Sequence, residues 1–191
     1  MNRRTAIKNI LAFVVLGGTS GLLYEFFKHG EPVPLKLLPQ KKLLIAELAE
    51  VIIPRTDTPG AKDAKVEDYI IKMITENTDA KAQKSFLTGL GEVEHHAVAK
   101  YHKSFLHCDK NEKIEILKHF EDKANYSFEI LNKINKKYFG SPFFFQLRDL
   151  TAEGYSTSFL GATKGMAYDY IPVNYEACIP INKNQLAWAT K

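Results

Sequence analysis

Apolar residues recur at three- and four-residue steps through the middle of the chain. Leu44, Leu48, Val51 and Ile52 form one stripe, which Pro54 ends. Val66, Tyr69, Ile70, Met73 and Ile74 form a second, with Glu67, Asp68 and Lys72 on the opposite face. Phe86, Leu90, Val93, Ala97 and Tyr101 form a third, and Ile114, Leu117, Phe120, Ala124, Phe128 and Leu131 a fourth. This step is that of one face of an α-helix, so the pattern predicts four amphipathic helices. Asp109 and Glu112, three residues apart, read as a capping box opening the fourth. A fifth helical segment is predicted over residues 143–161, just after Pro142. No proline interrupts residues 60–140, and no run alternates in twos, so no strand is predicted. Beyond residue 161 the periodicity stops: Tyr168, Asp169, Tyr170, Pro172, Asn174, Tyr175, Pro180 and Asn182 follow neither helical nor strand spacing. The expected fold is therefore all-α, a compact helical bundle with a long, irregular aromatic C-terminal tail. An N-terminal signal or anchor helix precedes it. The expected divisions are residues 1–27 for that segment, 28–38 for an extended linker, and 39–191 for the helical body.

The N-terminal segment is built differently. Arg3, Arg4 and Lys8 precede an apolar run over residues 10–23 that contains Gly17, Gly18 and Gly21. A positive stretch followed by a short apolar one is the layout of an export signal. The arginine pair with Thr5, Ala6, Ile7 and Lys8 after it resembles the twin-arginine (Tat) type. Asn2 stands where that pattern has Ser or Thr, and Ala6-Ile7 where it has Phe-Leu. That route exports proteins already folded, so the expected destination is the periplasm. A plain membrane anchor is the alternative, although the run is shorter than the roughly 20 residues that span a bilayer. Extending it to Phe27 would bring Glu25 into the apolar zone. No A-x-A site follows the run, which leaves open both cleavage and retention as a tether to the inner membrane. The segment has no cysteine, which excludes a lipid-modified cysteine anchor.

Composition narrows the function classes. The chain has 191 residues, of which 45% are hydrophobic and 12% aromatic, as in a globular domain. The formal net charge is +4, but Arg3, Arg4, Lys8 and Lys28 against Glu25 account for three of the four. The body is nearly neutral, unlike that of a nucleic-acid binder. Cys108 and Cys178 are too few for a disulfide scaffold; pairing with each other, pairing with a partner chain and remaining free are all open.

Motifs that carry chemistry are mostly missing. There is no C-x-x-C-H for a c-type haem. Gly89-Leu90-Gly91 sits inside a helical pattern, where a dinucleotide-binding loop would not be. Gly154-Tyr155-Ser156-Thr157-Ser158 starts like a nucleophile elbow but lacks the closing glycine and a preceding strand. His95, His96 and His102 share one predicted helix with Glu92 and Glu94, and a metal-binding enzyme using the three histidines is a competing reading. Against it, no H-E-x-x-H string is present, Lys100 and Lys103 lie nearby, and bundle metal sites draw ligands from several helices. A solvated helix face is the simpler account. Phe143, Phe144 and Phe145 read as core. A stand-alone membrane-tethered scaffold is a third reading.

Two segments carry a resemblance. The first runs Ile45-Ala46-Glu47-Leu48-Ala49-Glu50-Val51-Ile52-Ile53-Pro54-Arg55-Thr56-Asp57-Thr58-Pro59-Gly60-Ala61 and continues into Val66, Tyr69 and Ile70. The second comprises Leu150-Thr151, residues 154–158, Gly161-Ala162-Thr163, Tyr168-Asp169, Pro172, Tyr175, Cys178 and Pro180. With the arginine pair, these are similar to the gluconate 2-dehydrogenase subunit 3 family; Phe159 stands where that family often has an acidic residue. The resemblance implies a small, non-catalytic subunit without a cofactor or metal of its own. It implies an FAD-dependent GMC-type sugar or sugar-acid dehydrogenase as partner, often with a multi-haem cytochrome c as third subunit. In such complexes the small subunit supplies the export signal to a large subunit lacking one, which makes the Tat translocase a further partner. Asp57-Thr58-Pro59-Gly60 is turn chemistry. A tyrosine-rich tail suits an interface, so Tyr155, Ser158, Tyr168, Tyr170, Tyr175 and Cys178 are the expected partner contacts; packing of the tail on its own bundle is the alternative. Both cysteines are expected in reachable loops. Cys178, in the family-like segment, is favoured for a bond to the partner over one to Cys108, which reads as a buried or free thiol. The sugar or glycoside substrate stays open.

Overall fold

A computed structural model of the chain describes residues 34–124, 141–171, 178, 180 and 183–189. The chain divides into two compact units, Met1–Pro34 and Leu35–Lys191, and every described residue except Pro34 lies in the second. Arg3, Arg4, Lys8, Phe128, Leu131 and Tyr175 lie outside the described residues. The fold is all-α: α1 is Lys42–Ile52, α2 Val66–Glu76, α3 Ala80–Tyr101, α4 Lys110–Ala124 and α5 Phe143–Thr157. Short 3-10 turns at Leu35–Leu37, Pro39–Lys41 and Phe105–His107 and a π-type turn at Gly161–Gly165 link or extend them. No helix among the described residues is long and apolar enough to cross a membrane.

Local chemistry sets the helix ends. Asp79 caps α3, its Oδ1 accepting from the Ala82 N–H at 2.8 Å. The capping box of α4 forms reciprocally. Glu112 Oε2 accepts from the Asp109 N–H at 2.7 Å, and Asp109 Oδ1 from the Glu112 N–H at 2.9 Å. α1 stops at Ile52, since Pro54 disfavours helical backbone at Ile53. His102 closes α3 with a left-handed φ of 57°.

α5 is the central helix and packs against the other four. It buries Phe143, Phe144, Leu147, Gly154 and Tyr155, with two polar residues that find partners within the fold. Thr151 donates to the Leu147 carbonyl at 2.6 Å, and Gln146 to the carbonyls of Ser141 at 2.7 Å and Ala82 at 3.2 Å. Gly89 of α3 exists for this packing, because the Phe143 ring occupies the place a β-carbon would take. The predicted stripes form the core with four differences. The fold begins before Pro39, with Leu38 of the expected linker fully buried. Glu67, expected on the polar face of α2, is buried in the first turn, where the helix N-terminus favours a negative charge. In α4 Ile116 is buried and Ile114 exposed, so the buried face is turned from the predicted stripe. The fifth helix ends at Thr157 rather than 161, because Ser158 adopts extended backbone.

Candidate partner-binding surface

The first family-like segment folds into a loop tied down by carboxylates. Glu50, in the last turn of α1, accepts from the Arg55 N–H on Oε1 and the Lys62 N–H on Oε2, both at 2.9 Å. The Ala61 N–H reaches back to the Ile53 carbonyl at 2.9 Å. Asp63 accepts from the Gly60 N–H at 3.0 Å. Gly60 is required by the closeness of this wrapping: a β-carbon there would lie 2.5 and 2.6 Å from the Glu50 carboxylate oxygens and 2.7 Å from the Arg55 nitrogen. Glu47, one turn earlier, pairs with Lys62 of the loop and with Lys113 of α4, the latter at 2.9 Å. Burial pushes the Glu47 carboxyl up, but the hydrogen bonds and charges of Lys62 and Lys113 outweigh it and hold it below the usual carboxylate range.

The second segment meets this loop through Tyr155. Its hydroxyl donates to the Pro59 carbonyl at 2.7 Å, across a sequence separation of 96 residues. On the ring's other contact, Gly165 of the π-type turn packs so closely that a β-carbon would lie 2.8 Å from Cε1 and Cζ. Ser158 starts that turn: its hydroxyl donates to the Tyr155 carbonyl at 2.7 Å and accepts from the Gly161 N–H at 2.9 Å. Tyr155 is thus buried, and it joins two parts of the fold instead of facing outward as expected. Ser158 is half-buried and committed to the turn.

On either side of the turn, the described residues include several exposed aromatic and aliphatic side chains. Ala167 pairs with a later segment in a parallel bridge, donating to the Ala187 carbonyl and accepting from the Ala189 N–H, each at 2.8 Å. The bridge brings the backbone around Trp188 alongside Ala167. Phe159 is 78%, Tyr170 83% and Ile171 65% exposed, and Tyr168, Leu186 and Trp188 are also on the surface. Cys178 is exposed and Cys108 buried, and both are free thiols. Cys108 was expected in a reachable loop. It follows the Phe105–His107 turn with its thiol 3.5 Å from the Ser104 carbonyl, and burial, then Glu112, pushes its pKa up.

The three candidate histidines do not converge. His95 and His96 line one groove of α3 with Glu92, Lys123 and His119. His102 instead serves as the left-handed cap of α3. Among the described residues no group of three or more His, Cys, Asp or Glu is placed to hold a metal ion. The residues that spacing did not single out are His119, which stacks on His96, and Glu50, which clamps the loop. His119 lies on a different helix, and the donors to Glu50 are backbone amides, so neither leaves a periodic trace.

The sequence profile of the family described as gluconate 2-dehydrogenase subunit 3 matches residues 39–174, well over half of the chain. No curated protein and no solved structure shows a significant match. The chain belongs to the gluconate 2-dehydrogenase subunit 3 family.

Proposed function

From that membership we propose that this chain is the small, non-catalytic subunit of a periplasmic dehydrogenase complex acting on a sugar, sugar acid or glycoside. It docks an FAD-dependent GMC-type flavoprotein, steadies it, and provides its twin-arginine export signal. The observation that carries this reading is the arrangement of the family-like segments. They are held together by Tyr155 and Pro59, and the second carries exposed aromatic side chains, Phe159, Tyr168 and Tyr170 among them. Aromatic surface on a rigid support is what a protein partner buries. The flavin is assigned to the partner, and haem c to a third, cytochrome subunit. In support, the one Gly-x-Gly of this chain lies inside α3 with Gly89 against Phe143, and it forms no loop that could cradle a phosphate. Arg3, Arg4 and Lys8 in front of a short apolar run support the export role and, if the segment is retained, an inner-membrane tether.

Co-expression with a GMC-type flavoprotein subunit from the same organism tests this. With the native chain, dye-linked dehydrogenase activity is expected in the periplasmic fraction. With Arg3→Lys and Arg4→Lys combined, it is expected to stay in the cytoplasm. Periplasmic activity with the double variant would refute the export role.

A further inference from the structure

Between α3 and α4 the imidazoles of His96 and His119 lie face to face, with centroids 4.3 Å apart and planes 19° from parallel. Phe120 meets both edge-on, at 6.0 and 5.4 Å, and Phe143 of α5 backs Phe120 at 6.0 Å. A groove of about 460 Å³ opens beside the pair, with His95 on its wall. His96 is half-buried and His119 exposed. The charged groups acting on His96 are Lys100 and His95 from its own helix and His119 and Glu115 from α4, while α5 offers the Phe143 ring. The nearby carboxylates already have lysine partners: Glu115 pairs with Lys100, and Glu92 with Lys123 across the same seam at 2.7 Å.

We infer that the His96–His119 stack is an acid-labile latch between α3 and α4, closed while the rings are neutral and open when both carry a proton. Neutral imidazoles stack as other flat aromatics do. Two imidazolium ions at this separation repel, and in a half-buried site water screens that repulsion only in part. Burial, then His119, Lys100 and His95, holds His96 below the usual histidine range. A lowered folded-state value means the closed form refuses a proton that the open form accepts. Closure is therefore fully stable above the ordinary histidine value of about 6.5 and weakens as pH falls below it. Residues 117–124 of α4, around His119, are the part released, and the groove beside His95 widens. The inference does not depend on the complex proposed above.

Hydrogen exchange of the full-length chain in mild detergent at pH 7.5 and pH 5.5, corrected for the intrinsic pH effect, tests the latch. Amides of residues 117–124 are expected to exchange about three- to tenfold faster at the lower pH, with α1 and α2 unchanged. His119→Phe keeps an aromatic ring on His96 but removes one proton site and the His–His repulsion, so its residues 117–124 are expected to loosen less at pH 5.5 than those of the native chain. Equal protection in the native chain at both values overturns the inference, as does undiminished acid loosening in His119→Phe. An NMR titration of the ring protons gives an independent readout. His96 is expected to titrate below an ordinary histidine, and an ordinary midpoint for it also overturns the latch.

Discussion

Tyr155 shows what one hydroxyl can do in this molecule. It lies near the end of the central helix, and its ring is packed by Gly165 while its oxygen satisfies the Pro59 carbonyl. Tyr155→Phe keeps the ring and deletes the bond, leaving that carbonyl without its donor. A loss of about 1–2 kcal/mol is expected, seen as a lower urea midpoint at unchanged slope. An unchanged midpoint would mean that the loop carbonyl finds another donor. At this scale the sequence is legible where chemistry is local: Pro54 announces the end of α1 at Ile52, whereas Asp57-Thr58-Pro59-Gly60, read as a turn, only bends at Thr56–Thr58, and the turn itself follows at residues 61–65. It is opaque where partners are distant. Nothing in the spacing of Glu50, Arg55 and Lys62 says that one carboxylate will collect both amides. Tyr155, read as a surface contact, is an internal joint for the same reason.

The elements were more readable than their faces. A three-and-four step locates a helix well, and the reciprocal bonds of Asp109 and Glu112 reflect a signal only three residues long. Which flank of the stripe turns inward depends on the neighbouring helices, so Ile116 rather than Ile114 meets the core. Glu67 is buried for a related reason, in the first turn of a helix that α1 and α5 cover. Between elements, Glu47 is the cross-brace joining α1, the loop and α4 through Lys62 and Lys113. Glu47→Gln is expected to destabilise the fold by about 1–2 kcal/mol near neutral pH. The folded-state value of Glu47 is depressed, so its contribution is fully present above the ordinary glutamate value of about 4.3. It fades as pH falls through the lower folded value. Unfolding curves of both proteins between neutral and strongly acidic pH should therefore converge on the acid side; a constant gap would assign the effect to packing.

For the whole molecule, the all-α class and the aperiodic tail are both visible in the hydrophobic pattern, because one is the presence of a period and the other its loss. The tail's return to Ala167 is not, since a single backbone bridge needs no particular side chain. If the exposed aromatic side chains are the dock, Phe159→Ser with Tyr170→Ser should leave the unfolding midpoint almost unchanged, both side chains being exposed. It should weaken capture of the flavoprotein by about tenfold or more, measured as a Kd by surface binding. Equal affinity would move the dock elsewhere. The bridge at Trp188 also has a consequence in time. A chain that has left the ribosome can assemble α1 to α5, with Tyr155 seated on the loop, before residues 187–189 return to Ala167. The surface around Ala167 and Trp188 is completed only afterwards, so a folding chain has its core before it has its whole aromatic surface. A partner that recognises this surface therefore binds finished chains better than unfinished ones, and truncation before Ala187 is expected to leave a folded body that the partner captures more weakly through Phe159 and Tyr170 alone.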